Sequence, residues 1–421
     1  MRNFKIGLFF YLFCYVFAFY IGPISISLII AIPLYINAFL NKSFFNELVF
    51  VASSRLIWNV SKLWLILVFI SLLYPIIFFT LDYSFFRVVA MQMIHLFAAI
   101  PFFAYLKSNK YTSYDIEKYF IYIFIVQTFI QLIVVSSPLL GEKILFFNHY
   151  EPEAVLGAGS NIRGKALSAA TTYHLTIAYG ICFIVYIKHL LDKKITIKTI
   201  FVGAMIFIGI FFAGRSGFMG CLIGAIGFLI YNRTSIYIKI KTISKTLMYL
   251  SFIIIASCSI LIYKIPSFWE LVTEDILPYA FEFVYSIGDK GGVETASTNH
   301  LFSMWTDSDF NYLEFFFGSG KYSNSNGTYY MEVDPGILRH LLFMGIIGYV
   351  ILIIYQLTIF PIWKMKYTSK YYYYLILIFI IVMDLKAVTI GLNKFVFAIT
   401  LLFSFCGIYL KHDIKNEKLI S

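Results

Sequence analysis

The chain has 421 residues, of which 60% are hydrophobic and 13% are charged, with a formal net charge of +11. Ordinary soluble domains carry roughly 25% charged residues. Apolar runs near the roughly 20 residues that cross a bilayer recur from the first residues to Leu410. This composition excludes an ordinary soluble protein and predicts an all-α polytopic membrane protein.

Length and hydropathy predict about 12 transmembrane helices within a single integral membrane domain. The first apolar run lacks a small-residue cleavage site, so a retained helix is expected there. Segment 44–60 is apolar but contains Glu47 and Arg55, and is predicted to lie at the interface. The predicted spans are 5–21, 22–40, 62–80, 86–106, 118–138, 166–187, 199–213, 215–231, 246–263, 338–360, 371–390 and 394–410.

Charge bias predicts the orientation. If Met1 is cytoplasmic, most Lys and Arg residues fall in inner loops and tails, whereas most acidic residues fall outside. Both termini are therefore expected in the cytoplasm. The positive charge is explained by these flanks, so no nucleic-acid partner is expected.

Cofactor signatures are missing from the sequence. The five cysteines lie in apolar runs without CxxC spacing, and the chain has no GxxxxGK[ST], GxGxxG, HExxH or GxSxG pattern. No metal, nucleotide or other cofactor is predicted. Asp384, with Lys386 nearby, is the one candidate for the membrane-embedded acid of a proton-coupled carrier, which gives that alternative little support.

Two predicted outer loops are long, 139–165 and 264–337. The second contains eleven acids against three lysines, together with Trp269 and Trp305. Carboxylates accept hydrogen bonds from sugar hydroxyls, and aromatic faces stack on sugar rings. The loop is therefore a candidate glycan-binding region, with Trp269 and Trp305 as its aromatic residues. A solvated cap over the bundle is the alternative.

Three arginines follow polar or glycine-rich turns at the predicted outer boundary: Arg163, Arg215 and Arg339. Helix starts attract anions, and a guanidinium binds phosphate in a bidentate manner. Asp334 is expected to cap the helix bearing Arg339, with Pro335 at its first position. Anchoring to lipid headgroups is the alternative for each arginine.

The helix after Arg215 has four glycines on one face, and this pattern predicts close approach of another helix: Gly217, Gly220, Gly224 and Gly227.

The arginines and the acidic, aromatic loop together predict a site at the outer membrane face that binds an anion and a sugar. A lipid-linked sugar diphosphate would fit such a site.

The segment 299–352, "NHLFSMWTDSDFNYLEFFFGSGKYSNSNGTYYMEVDPGILRHLLFMGIIGYVIL", resembles the O-antigen ligase and polymerase superfamily, as do the turns "GRSG" and "NIRG". The matching residues are Trp305, Gly318, Gly320, Asp334, Gly336, Gly345 and Gly348. The resemblance implies a GT-C-like architecture. Ligases of this superfamily usually have His-Asn where Asp334-Pro335 stands, which favours a Wzy-type polymerase. Asn299-His300 stands where the family often has an arginine.

By this resemblance the protein would join undecaprenyl-pyrophosphate-linked oligosaccharide repeats, as both donor and acceptor, into O-antigen or another surface polysaccharide. The reaction would occur at the outer face of the bacterial cytoplasmic (inner) membrane, with a chain-length regulator and a flippase as possible partners. The expected pyrophosphate ligands are Arg163, Arg215, Arg339 and Lys165, and the candidate bases, in order, are His340, Asp334 and His300. A ligase transferring glycan to lipid A core, a flippase or transporter, and a structural assembly partner are the alternatives.

Overall fold

The computed structural model describes residues 5–148, 166–170, 172–191, 196–231, 248–249, 273, 296–306, 311–324, 327–365 and 370–411. Within these ranges the chain is mainly helical, and two short antiparallel strands, β1 (Tyr20–Ile21) and β2 (Ile24–Ser25), form a hairpin between the first two helices. The helices are α1 (Ile6–Phe17), α2 (Ile26–Leu40), α3 (Lys42–Ala52), α4 (Arg55–Ile77), α5 (Ser84–Ser108), α6 (Ser113–Ser136), α7 (Pro138–Leu145), α8 (Thr172–Leu191), α9 (Ile197–Ala213), α10 (Phe218–Tyr231), α11 (Ala296–Thr306), α12 (Tyr312–Phe317), α13 (Gly336–Ile359), α14 (Lys370–Asp384) and α15 (Lys394–Tyr409).

Five of these helices, α4, α5, α6, α8 and α13, are long and apolar enough to cross a membrane, and several shorter ones are also apolar. Large apolar side chains such as Phe39 and Phe69 lie exposed on the helix surfaces. Lipid is the solvent that suits such surfaces. The chain is therefore an α-helical membrane protein, while the full number of spans and their orientation remain predictions. The span expected at 246–263 lies outside the described residues except for 248–249.

Several boundaries differ from those expected, among them the end of the predicted span 371–390, because α14 ends at Asp384. Within the segment 44–60, which was predicted to be one interfacial piece, residues 55–60 belong to α4, which begins at Arg55 and continues as one long helix. The Ser54 hydroxyl accepts a hydrogen bond from the Ile57 N–H and caps that helix. Likewise, α8 begins at Thr172, not at residue 166. In the segment before α8, the Ser168 N–H donates to the Asn148 side-chain oxygen at 3.0 Å, a bond that stabilises non-helical backbone at Ser168.

Contacts divide the chain into two compact units. The first contains Met1–Tyr119 and Ser297–Asp413, and the second contains Phe120–Ala296 and Ile414–Ser421. In the first, α5 packs against α2, α3, α4 and α15. Phe103 on α5 stacks on Phe405 of α15, with ring centres 4.5 Å apart. Large buried aromatic side chains of this kind supply much of the packing of the first unit.

In the second unit, the glycine face of α10 lies directly against α8. A Cβ on Gly220 would come within 2.6 Å of the Gly180 Cα, and one on Gly217 within 2.5 Å of the Thr176 Oγ1. Only glycine allows the two backbones this close. The predicted close approach of a second helix is confirmed for Gly217 and Gly220.

Candidate functional site

The candidate site lies in the first unit, where α13 is interrupted at Gly345. This residue has φ 63° and ψ −174°, far from helical values, so α13 consists of segments 336–344 and 346–359. In an unbroken helix the carbonyls of Leu342 and Phe343 would accept from residues four positions ahead. Here they accept from the N–H groups of Ser319 (2.6 Å) and Gly320 (3.0 Å). The break thus attaches the chain after α12 to the middle of an apolar helix.

Two glycines make this attachment possible. A Cβ on Gly345 would lie 2.2 Å from the carbonyl oxygen of Phe316, and one on Gly318 would lie 2.3 Å from that of Phe343. Both residues also have positive φ, a conformation that side chains disfavour. Glycines 318 and 345 therefore allow the C-terminal end of α12 to dock against the break in α13.

The attached chain continues into a short hairpin, which we call the tyrosine hairpin (residues 321–324 and 327–330). Ser323 pairs with Tyr329, and the Tyr330 N–H donates to the Tyr322 carbonyl at 3.2 Å. Asn324 closes the turn through its side-chain amide, which donates to the Thr328 hydroxyl (3.0 Å) and the Tyr329 carbonyl (2.9 Å). The hairpin holds two tyrosine side chains over the start of α13.

Asp82, in the connection between α4 and α5, anchors the tyrosine hairpin. Its carboxylate accepts from the backbone N–H groups of Tyr322 (2.6 Å) and Ser323 (2.7 Å), and from the Ser84 side chain and backbone. Partial burial opposes ionisation of Asp82, but these hydrogen bonds outweigh it and hold its pKa below the usual range. Asp82 is thus an ionised clamp at neutral pH.

Arg339 lies under the tyrosine hairpin. Its guanidinium carbon is 4.3 Å from the Tyr322 ring centre and 3.5 Å from the Tyr329 ring centre. Only 8% of the residue is exposed. Its Nε has no hydrogen-bond partner, and among the described residues Arg339 forms no ion pair. The aromatic faces stabilise this cation, but no carboxylate in the described part of the chain pairs with it directly.

His340, the next residue, is fully buried among aromatic rings. Its imidazole lies nearly parallel to the rings of Tyr322 (6.4 Å between centres) and Tyr349 (6.2 Å). Both ring nitrogens lack a hydrogen-bond partner. Buried nitrogens without partners are unusual in folded proteins. The arginine and the histidine therefore form a pair of adjacent buried groups with unused hydrogen-bonding capacity.

Asp384 closes the far side of this region. Its carboxylate accepts from the Tyr349 hydroxyl (3.0 Å) and from the N–H groups of Thr389 (2.7 Å) and Ile390 (3.0 Å). Gly336 allows α13 to start beside it, since a Cβ there would lie 2.3 Å from the carboxylate oxygen Oδ1. Asp384, the candidate acid of a proton-coupled carrier, therefore stabilises the turn before α15.

The other predicted residues of the first unit lie around the start of α13. Asp334 is exposed, and its N–H approaches the Met304 sulfur at 3.3 Å. The prediction that Asp334 is the N-cap is wrong, because Pro335 occupies that position and the helix begins at Gly336. Trp305 is partly exposed on α11, which also contains His300, whose side chain lies outside the described residues.

Arg215 lies in the second unit. It begins a short 3-10 turn, Arg215–Gly217, that precedes α10, and it is half-buried. The Thr176 hydroxyl donates to the Gly214 carbonyl and accepts from the Gly217 N–H at 2.9 Å. Thr176 of α8 therefore fixes the turn that presents Arg215. Arg163, Lys165 and Trp269 lie outside the described residues.

The sequence did not indicate the residues that surround Arg339. Asp82 lies more than two hundred positions from the hairpin it anchors, and Tyr322 and Tyr329 are two of 33 tyrosines. The signal that was present is the pair of glycines at 318 and 345. The close approach of α12 to the break in α13 that these glycines permit becomes visible only in the fold. Among the described residues no cluster of His, Cys, Asp and Glu could hold a metal ion.

Comparison with known proteins gives no match to this chain among family models, curated proteins or solved structures. Fold and site together define its class. It is an α-helical membrane protein with a discontinuous apolar helix, and a buried arginine on that helix lies beneath a tyrosine hairpin.

Proposed function

We propose that this protein is a glycosyltransferase that polymerises undecaprenyl-pyrophosphate-linked oligosaccharide repeats into O-antigen or another surface polysaccharide. The observation that carries the proposal is Arg339, a buried guanidinium without an ion pair in the described part of the chain. Removing a charge from water is costly unless an opposite charge compensates it. A pyrophosphate reaching Arg339 from the bilayer surface would supply that compensation.

Discontinuous membrane helices support the same proposal. Irregular backbone at membrane depth occurs where it is buried in protein or lines a cavity, and broken helices often carry substrate sites. The break at Gly345 lies six residues after Arg339 on the same helix. It secures the tyrosine hairpin, two rings of which contact the guanidinium. Tyr329 is 44% exposed, so the outer of the two covering rings already faces the surroundings.

The proposed reaction is a displacement at the anomeric carbon of the donor. A hydroxyl of the acceptor repeat forms the new glycosidic bond, and the bond between the anomeric carbon and the pyrophosphate oxygen breaks. The bonding electrons leave with the pyrophosphate, whose developing charge Arg339 stabilises. His340 is the proposed base that receives the hydroxyl proton, since its ring nitrogens have no other partner. Asp334 and His300 are the next candidates.

Arg215, Arg163 and Lys165 are proposed as additional pyrophosphate ligands on the basis of their sequence context. Arg215 has the strongest structural support of the three, because Thr176 fixes the turn in which it lies. Trp305 and Trp269 are proposed glycan contacts. The proposed location is the bacterial inner membrane, with a flippase and a chain-length regulator as pathway partners.

The test is the length profile of surface glycan in cells that lack the gene and are complemented with wild type, Arg339→Gln or Arg339→Lys. We expect the deletion to leave lipid core with a single repeat. Arg339→Gln should fail to restore the ladder at normal membrane abundance. Wild-type ladders from Arg339→Gln would refute the proposed role of this residue.

The same experiment separates the alternatives. Long glycan that accumulates on its lipid carrier in the deletion strain would indicate a ligase. Complete absence of repeats from the surface, with lipid-linked repeats retained inside, would indicate a flippase. Unchanged glycan in the deletion strain would contradict all three activities.

A further inference from the structure

A groove of about 580 Å³ runs along the other side of the tyrosine hairpin. Its walls are the C-terminal end of α4, helix α12 and the chain from Gly318 to Lys321. This volume lies within the roughly 300–1,000 Å³ of small-molecule sites. The lining residues include Tyr74, Phe78, Glu314, Phe317, Lys321 and Tyr330.

Two opposite charges line this groove without pairing. Glu314 and Lys321 form no ion pair among the described residues. One carboxylate oxygen of Glu314, Oε2, accepts a 3.4 Å bond from the Asn311 N–H, which caps α12. Lys321 places its ammonium 5.4 Å from the Tyr330 ring centre. A hydrogen-bond acceptor and a hydrogen-bond donor are therefore both present along one groove.

Aromatic faces complete the lining. Tyr330 packs against the cluster of Met304, Val333, Leu338 and Leu342, so its position is fixed by the fold. The adjacent Tyr329 covers Arg339. Two successive residues of the tyrosine hairpin therefore serve neighbouring sites, since Tyr329 covers the guanidinium and Tyr330 lines the groove.

We propose that this groove binds sugar residues of the oligosaccharide repeat, with Glu314 accepting from sugar hydroxyls, Lys321 donating to them, and Tyr330 stacking on a ring. The inference rests on the proposed function for the identity of the glycan. Sugars present hydroxyl groups around a ring with apolar C–H faces. That chemistry matches a groove with charged acceptor and donor groups beside aromatic walls.

A lipid tail is the competing occupant, because α4 and α12 also expose apolar residues. An acyl or prenyl chain would cover Glu314 and Lys321 without giving either a partner, at the cost of desolvating two charges. A sugar gives partners to both. The charged residues therefore favour the glycan over the lipid.

The test uses calorimetry to measure binding of the lipid-free oligosaccharide repeat to the purified protein in nanodiscs. The repeat is obtained from the producing cells by mild acid release from its lipid carrier. Glu314→Gln retains the cap of α12, Lys321→Met retains the aliphatic stem, and Tyr330→Leu retains the apolar packing. Each should raise Kd about tenfold, the effect of losing one good polar or stacking contact. Tyr312→Leu is the matched control, because Tyr312 is 84% exposed on the same helix and does not line the groove.

Equal Kd values for wild type and the three groove variants would overturn the inference, as would the absence of saturable binding. Changed co-purified lipid in the variants, with unchanged glycan affinity, would assign the groove to a lipid and also overturn it. Arg339→Gln distinguishes this inference from the proposed function. Suppose that Arg339→Gln loses polymerisation while the groove variants bind glycan as wild type does. The proposed function would then stand, and the glycan-binding role of the groove would be refuted.

Discussion

The guanidinium carbon of Arg339 lies 3.5 Å from the centre of the Tyr329 ring, a contact that holds a buried cation against a half-exposed aromatic face. Tyr322 covers the other approach to the same guanidinium. Cation–π contacts of this kind contribute about 0.5–2 kcal/mol each. They favour one position of the side chain, but they do not neutralise its charge.

Replacing Arg339 by Gln should impair transfer without destabilising the fold. The substitution removes a buried charge that has no ion pair in the described part of the chain, so the melting temperature in detergent should stay equal or rise. Loss of one oxyanion-type donor lowers catalytic rates roughly 100- to 1,000-fold, so polymerisation should be nearly absent. Arg339→Lys retains the positive charge but not the planar guanidinium, so its polymerisation rate should lie between those of wild type and Arg339→Gln. A melting temperature several degrees lower in Arg339→Gln would show a structural role.

Asp82→Asn should loosen the tyrosine hairpin. The neutral amide replaces a charged acceptor of the Tyr322 and Ser323 N–H groups, and charged hydrogen bonds are about twice as strong as neutral ones. Hydrogen–deuterium exchange should show lower protection at those two amides. Ser84→Ala is the comparison variant, because it removes the hydroxyl that donates to Asp82 and accepts from the Ser323 hydroxyl at 3.0 Å but leaves the carboxylate and both N–H bonds in place. Unchanged protection in Asp82→Asn would contradict the clamp.

The same clamp has a defined pH dependence. The pKa of Asp82 is lower in the folded protein than the usual value of about 4. Its stabilising contribution is therefore complete above that usual value and is lost as the pH falls through the lower folded-state pKa. Protection factors at Tyr322 and Ser323 should be constant from pH 5 to pH 8 and fall only below about pH 4. A fall near neutral pH would assign the transition to another group.

Gly345→Ala should destabilise the protein by at least about 2 kcal/mol, because a Cβ in that backbone conformation collides with the Phe316 carbonyl. Reduced yield of folded protein and a lower melting temperature would be the signs. Gly224→Ala is the matched control, since its Cβ meets only ordinary contacts, the nearest being 3.5 Å from Phe183. Equal stability of the two variants would mean that α13 accepts a continuous helix.

Thr176→Val should disturb the turn that carries Arg215. The Gly217 N–H would keep only its 3.3 Å bond to the Gly214 carbonyl, and that carbonyl would lose the Thr176 donor. A loss of about 1 kcal/mol is expected. Thr176→Ser keeps the hydroxyl and should retain stability and glycan length. Identical melting curves for the Val and Ser variants would refute the structural role of the hydroxyl.

Apolar runs were sufficient to predict most of the helices, because backbone groups in hydrocarbon must be satisfied within the segment. Glycine spacing also predicted that another helix packs closely against α10, and the structure shows that this helix is α8. Details set by tertiary contacts were not predictable. Asp334 looks like a cap from sequence alone, yet the helix starts two residues later, where Gly336 lies beside Asp384.

The break at Gly345 was hidden for a similar reason. In "FMGIIG" the glycines suggest helix packing, and nothing local shows that Ser319 and Gly320 bond to carbonyls of this helix. The arginine was identified as a candidate, whereas its aromatic cover was not. That cover depends on Asp82, whose contribution arises from folding rather than from any sequence motif.

The most direct test of the central claim uses purified protein and the undecaprenyl-pyrophosphate-linked repeat, with product length followed by mass spectrometry. Wild type should convert single repeats into longer lipid-linked chains and release undecaprenyl pyrophosphate. Arg339→Gln, at equal folded concentration, should leave the substrate as single repeats. No elongation by wild type, or elongation by Arg339→Gln at the wild-type rate, would contradict the account.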